Sequence, residues 1–250
     1  MRRVATAAAA GAAEASNVVR RALRSGTNVA LDAILGRCTT GAFDAARGVP
    51  AEAILRAAEA ARWAPNHKLS EPFTLRWLSD ATRARVCDLH EETLRAAGQG
   101  AKTIERKMRR WREIPEMVAV TVATEEPRQV DGAVAERKDG DDGGDALGAT
   151  AGEEAFRGAC GPLRAHEDRM CAAAATQNFL VSLAGEAEPI SSKWSTGAVT
   201  RTQAFAEACG YDVRREVCIA LLHVGYAEEG SAPRPRLRRR EVDGNLLRRV

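Results

Sequence analysis

Ala61-Arg62-Trp63-Ala64-Pro65-Asn66-His67-Lys68-Leu69-Ser70-Glu71-Pro72-Phe73 is the stretch on which the reading of the fold turns. Its first residues continue a helix, and Pro65, which lacks a backbone donor and fixes its own φ, stops it. A polar turn follows. Pro72 then releases the chain into Phe73 to Leu78, where Phe73, Leu75 and Trp77 alternate with Thr74 and Arg76, the period of a strand buried on one face. His67 and Lys68, fixed between two prolines at the mouth between helix and sheet, are placed to meet a phosphate or the edge of a polar ring. The other reading is a plain helix-to-strand turn in which His67 caps the backbone, and spacing alone favours it.

Outward from this turn the periodicity alternates between helix and strand. Upstream, Val49-Pro50 opens a helix whose Ala51, Ile54, Leu55 and Ala58 predict a buried stripe. An earlier helix covers about Val29 to Arg37, with Leu31, Ile34 and Leu35 on one face. Downstream, Thr82 to Ala97 predicts a helix with Val86, Leu89 and Thr93 inward and Gly98 as its stop. Ile104, Met108 and Trp111 mark another, ended near Pro115. Met117 to Thr124 is β-branched and reads as a central strand, as does Val217 to Tyr226. Between them lie a long helix from about Glu167 to Ala184, with a small face of Ala172, Ala173, Ala175 and Thr176, and a helix from about Thr200 to Cys209 stopped by Gly210. No strand–helix–strand unit carries a G-x-G-x-x-G turn, so a dinucleotide-binding Rossmann domain is disfavoured. The pattern is α+β, a small sheet wrapped by helices.

Three segments stand apart. Residues 1–28 carry Arg2, Arg3, Arg20, Arg21 and Arg24 against the single acid Glu14, among alanines and serines. That is the profile of a mitochondrial or plastid transit peptide; the alternative is an ordinary Ala-rich leading helix in a cytoplasmic protein. Residues 126–161 are rich in Asp, Glu, Gly and Ala, too poor in apolar surface to offset the entropy of ordering, and read as a disordered insertion. The Asp139–Asp145 run lacks the D-x-D-x-D-G order and closing Glu of a calcium loop. Residues 241–250 form a tail, preceded by the arginines 234, 236, 238, 239 and 240. No aromatic is interleaved there as a stacking platform, so nucleic acid is a poor partner.

Bulk composition narrows the class further. The net charge of +3 by itself points neither to nucleic acid nor to a membrane surface, and no apolar run approaches the roughly 20 residues that span a bilayer. The chain is expected to be soluble. The six cysteines form no C-x-x-C pair and no N-x-S/T sequon occurs, so reduced thiols in a cytosol-like compartment are expected rather than a disulfide framework. Cys87-x-x-His90 and His166 to Cys171 lack a second pair at zinc spacing and read as helix-face residues in or near the core. No cysteine-nucleophile signature is visible.

Two further stretches offer polar groups. Ser191-Ser192-Lys193-Trp194-Ser195-Thr196-Gly197 reads as a loop presenting a cation, an indole and hydroxyls, or else as a surface turn with a half-buried tryptophan. Arg37-Cys38-Thr39-Thr40-Gly41-Ala42-Phe43 follows the first helix.

Taken in order, these segments resemble the nitroreductase family of FMN-dependent oxidoreductases. Ala64-Pro65-Asn66-His67-Lys68 with Pro72-Phe73 resembles the A-P-x-H-K-x-x-x-P-[WF] element of its short branch; Lys193-Trp194-Ser195-Thr196-Gly197 resembles its K-W-S-T-G element; and Ala173 to Leu180, with Gln177-Asn178, resembles its A-A-x-Q-N-x-L helix. Lys107-Met108 with Trp111 and Ile114-Pro115, and Val224-Gly225-Tyr226, are supporting matches. The resemblance runs from about Val29 to Arg240, giving one nitroreductase-like domain over 29–240, and implies a small, mostly antiparallel sheet.

It also implies function. Trp63, His67, Trp194, Ser195 and Thr196 would line FMN, some from each subunit of a homodimer, while Arg37, Cys38 and Thr39 would hold its phosphate. The arginine tail would be a solvated arm or one that braces the partner subunit. NADH or NADPH (NAD(P)H) would supply hydride, and a small-molecule electron acceptor, a nitro compound, quinone or similar, would take it; the flavin does the chemistry, so no side chain is required as acid or base. The match departs from the family at three places. Cys38 stands where a second consecutive arginine belongs, and Gly41 where a later arginine would be. A phosphate held by Arg37 alone implies weaker FMN binding or another cation that helps. The Gly185-Glu186-Ala187-Glu188-Pro189 turn is also longer than the family's tighter glycine turn. The competing class is a degenerate dimer of the same fold that has lost tight FMN binding and acts as a non-catalytic binding or regulatory module.

Overall fold

A computed structural model describes residues 28–123 and 163–231. The predicted leader (but for its last residue), the acidic insertion and the C-terminal tail lie outside these residues.

Local chemistry sets the helix ends. Asn28 caps α1 (Val29–Gly36), its side chain accepting from the Leu31 amide, and α2 (Ala51–Arg62) starts directly after Pro50. Ser79 caps α3 (Asp80–Ala96) through the Thr82 amide, and α4 (Ala101–Arg112) follows Gly98, which takes φ 70° to leave the preceding helix. The long α5 (Leu163–Ala184) crosses the sheet. Thr202 caps α6 (Gln203–Cys209), which Gly210 ends in the left-handed region. The strands are β1 (Phe73–Trp77), β2 (Glu116–Ala123), β3 (Ser191–Ser195) and β4 (Glu216–Gly225).

These strands form one sheet in the order β1-β2-β4-β3, antiparallel throughout. β2 and β4 are its centre and are buried on both faces. Val118, Val120, Ala220, Leu222 and Val224 face α2 and α5, with Phe179 at the middle of that layer. Met117, Ala119 and Leu221 face the other way into α3, α4 and α6, around Val86, Met108 and Phe205. Two-sided burial explains why both central strands read as near-continuous apolar runs. The architecture is the predicted α+β one, a small antiparallel sheet wrapped, among the described residues, by six helices.

Four local expectations change. On α2 the buried face is Ala53, Ile54, Ala57 and Ala61, not the stripe through Ala51 and Leu55; Leu55 is exposed. Alanines on α2 meet the small face of α5, and that close approach turns the larger leucine outward. On α1 no residue is buried, and Ile34 and Leu35 remain about half exposed. Trp77 faces solvent with its indole donating to Glu116, because β1 is an edge strand. The Ser191–Ser195 stretch, expected as a loop, is the opposite edge strand, paired along β4 from Ser191↔Gly225 to Ser195↔Leu221. Its serines and lysine hide it from propensity, and only the backbone partner on β4 makes it a strand.

Candidate functional site

The segment leaving α1 is laid against β3. Arg37 turns to an extended conformation as it leaves the helix, its amide still bonded to the Ala33 carbonyl. Thr39 then pairs in parallel with Ser192, and the Thr40 amide donates to the Ser192 carbonyl at 3.1 Å. Arg37, Cys38 and Thr39 are half-buried, and Cys38 is a free thiol. Beyond them Arg110 of α4 donates to the Gly41 carbonyl at 3.4 Å, and Phe43 pairs with Ala227. One backbone bridge therefore brings the Arg37–Thr39 segment beside the Lys193–Trp194–Ser195 strand. On that strand the Trp194 indole donates to the Ile219 carbonyl at 3.3 Å and stays 37% exposed. Ser195 is half-buried and Thr196 exposed.

Lys193 is Cα partner of His223 across the strands. Its ammonium acts on a buried layer in which Trp111 is stacked on His90, centroid to centroid at 3.7 Å, and meets His223 edge-on at 5.0 Å. Burial first, then the Lys107 and Lys193 charges, holds His90 down to about 4; burial first, then Lys193 and His90, holds His223 down to about 3. Cys87 lies in the same layer, so this pair is core, as the sequence reading had it.

The Trp63–His67 segment sits elsewhere. Trp63 ends α2 with its ring 75% exposed, its Nε1 donating to Glu59 at 2.9 Å and the Arg62 guanidinium 5.8 Å from the ring centroid. Asn178 of the Gln-Asn motif donates to the Ala60 carbonyl at 3.2 Å, tying α5 to the last turn of α2 and so placing Trp63. The turn itself is strained. Lys68, Leu69 and Glu71 all take positive φ (51°, 54° and 42°), a region that costs an ordinary residue roughly 1–2 kcal/mol. It is held by the Ser70 amide on the His67 carbonyl and the Glu71 amide on Asn66 Oδ1. His67 Nδ1 lies 3.6 Å from Glu167 Oε2 at the start of α5, and burial pushes the adjacent Asp168 carboxyl up.

His67 and the Arg37–Thr39 segment do not meet within one chain. α5 measures the gap: Glu167 at its start touches His67, and the Gly185 turn after its end packs on Ala33 of α1, one turn before Arg37. At 1.5 Å rise per residue those contacts are roughly 27 Å apart along the helix. The Gly185–Pro189 turn is fixed by its carboxylates, Glu186 gripping Arg56 through both oxygens and Glu188 paired with Arg47, which lies over the Tyr226 ring. Sequence reasoning missed Arg110, because α4 carries several arginines and nothing in the spacing tells which one reaches Gly41. Among the described residues no cluster of three or more His, Cys, Asp or Glu is set to hold a metal ion, and no helix is long and apolar enough to cross a membrane.

Among the described residues, six helices around an antiparallel four-stranded sheet, with the Arg37–Thr39 segment bridged to its β3 edge, give the nitroreductase-like class of α+β protein. The sequence profile of the Nitroreductase family matches residues 34–226, and this chain belongs to that family. Solved structures are similar to it over nearly their whole length. A nitroreductase-like family protein from Bacillus cereus is 22% identical with a TM-score of 0.58, covering 86% of this chain and 93% of its own. A nitroreductase with bound FMN from Bacteroides fragilis is 18% identical with a TM-score of 0.54, covering 90% and 100%. Oxidized iodotyrosine deiodinase bound to FMN and 3-iodo-L-tyrosine is 18% identical with a TM-score of 0.53, covering 85% and 96%. No curated protein sequence matches the chain significantly.

Proposed function

We propose that this chain is an FMN-dependent oxidoreductase that works as a homodimer, taking hydride from NADH or NADPH and delivering electrons to an electron-poor small molecule of the nitro or quinone kind. The observation that carries the reading is the Thr39–Ser192 bridge, which sets a cationic, hydroxyl-bearing segment beside an exposed indole. The donor chemistry fits the cofactor. Arg37 and Thr39 offer a guanidinium and a hydroxyl to a phosphate, and Trp194, Ser195 and Thr196 offer an indole and hydroxyls to a ring. When bound, FMN supplies the hydride chemistry at its own ring. The protein's part is to bind, orient and exclude water.

The homodimer is supported by what one chain leaves unfinished. His67 stands roughly 27 Å along α5 from the end that packs beside the Arg37–Thr39 segment, so a second copy would bring its Trp63–His67 turn to this chain's phosphate segment. Ile34 and Leu35 of α1, together with Trp63 and Leu69, are exposed apolar residues that such a partner would cover.

Cys38 and Gly41 favour a second reading, a non-catalytic dimer of the same fold. The two readings separate on protein purified without added flavin. Visible flavin absorbance near one FMN per chain, bleached by NADH or NADPH, is the expected result. Colourless protein that takes up no FMN on titration would support the non-catalytic reading instead.

A further inference from the structure

Gly41 leaves space that another part of the chain fills. A Cβ built on Gly41 would meet Nη1 of Arg110 at 3.9 Å, and the same nitrogen donates to the Gly41 carbonyl. The guanidinium thus stands where a side chain at position 41 would begin to project. Arg110 rises from the last turn of α4, which Ile104 and Met108 anchor in the core and which Trp111 locks by stacking on His90. Its root is fixed while its head stays in solvent. The strip it touches is fixed as well, by the Thr40–Ser192 hydrogen bond three residues before the Phe43–Ala227 bridge.

We propose that Arg110 supplies a further cation beside Arg37 at the phosphate end of the FMN site, in place of a side chain at Gly41. The inference rests on the FMN reading above. A phosphate monoester carries roughly −1.5 to −2 charges near neutral pH, more than one guanidinium such as that of Arg37 balances. A guanidinium has five N–H donors in a planar fork, so one bond to the Gly41 carbonyl leaves donors for phosphate oxygens. An arginine that reaches in from α4 meets the same demand as one grown from position 41, and it explains why a chain with cysteine and glycine at 38 and 41 need not have lost the cofactor.

The test compares FMN with riboflavin, which has the same ring system and no phosphate. Dissociation constants are measured by flavin fluorescence on the full-length flavin-free protein, for wild type, Arg110→Ala, and Arg110→Ala combined with Gly41→Arg. Arg110→Ala is expected to weaken FMN by about tenfold or more while leaving riboflavin unchanged, and the combined variant to recover most of the loss. Arg110→Gln, which keeps much of the stem, gives the same comparison if the alanine variant does not fold. An FMN constant within about twofold of wild type, or equal weakening of FMN and riboflavin, overturns the role of Arg110 and leaves the FMN reading standing. Wild-type protein that binds neither flavin overturns both.

Discussion

Cys38 is a half-buried free thiol between Arg37 and Thr39, on the strip bridged to Ser192. If that strip receives the phosphate, Cys38→Arg adds a charge-assisted contact, and FMN affinity is expected to rise by about tenfold. Calorimetric titration and a melting curve decide it together: a lower melting temperature with unaltered FMN affinity would mean that position 38 faces the core. His67→Ala and Trp194→Ala are expected to weaken FMN and shift the flavin spectrum, with Trp194→Ala also losing the hydrogen bond to Ile219. Gly225 makes a purely structural prediction. A Cβ there would stand 2.8 Å from Pro115 and 2.9 Å from Phe43, so Gly225→Ala should destabilise the fold by about 1–3 kcal/mol in urea unfolding. Wild-type stability in that variant would contradict the packing described. This contact also joins two separate sequence signals, Ile114-Pro115 and Val224-Gly225-Tyr226, into one close approach.

At the scale of elements, α3, α4 and β4 meet through His90, Trp111 and His223, a polar layer inside an apolar core. His90 Nδ1 and His223 Nε2 are buried and without hydrogen-bond partners among the described residues. Lys193 and Lys107 oppose protonation of His90 along with burial, and Lys193 opposes that of His223. Both histidines therefore fold neutral, with values near 4 and 3 against an ordinary 6.5. As pH falls below that ordinary value the unfolded chain takes up protons that the native state refuses, so stability falls, by up to about 1.4 kcal/mol per pH unit for each histidine. The melting temperature should drop from pH ~7 to pH ~4.5, and His90→Phe should make the drop shallower while keeping the stack on Trp111. An equal slope in that variant would show that other groups carry the acid sensitivity.

For the whole molecule, two expectations are open to measurement. Sedimentation should find a dimer wherever flavin is bound, because His67 and the Arg37–Thr39 segment lie at opposite ends of α5; a flavin-loaded monomer at micromolar concentration would refute this. Deleting the acidic stretch from Asp131 to Gly152 should leave melting temperature and flavin content unchanged, since its composition cannot build core. A large loss of either would assign the stretch a structural role.

What the sequence determined was whatever depends on near neighbours. The Pro65 stop, the Gly98 and Gly210 exits and the apolar runs of β2 and β4 were legible because caps, breakers and periodicity act within a few residues. The order of the motifs likewise carried the family. Tertiary structure alone decided the rest. Ser191–Ser195 became a strand because β4 offered its edge, and α2 turned Leu55 outward because the alanines of α5 came close. Arg110 was placed on Gly41, far along the chain, by the docking of α4. Each of these is a contact between residues distant in sequence, whose energy appears only once the chain has folded, so no local pattern could have announced it.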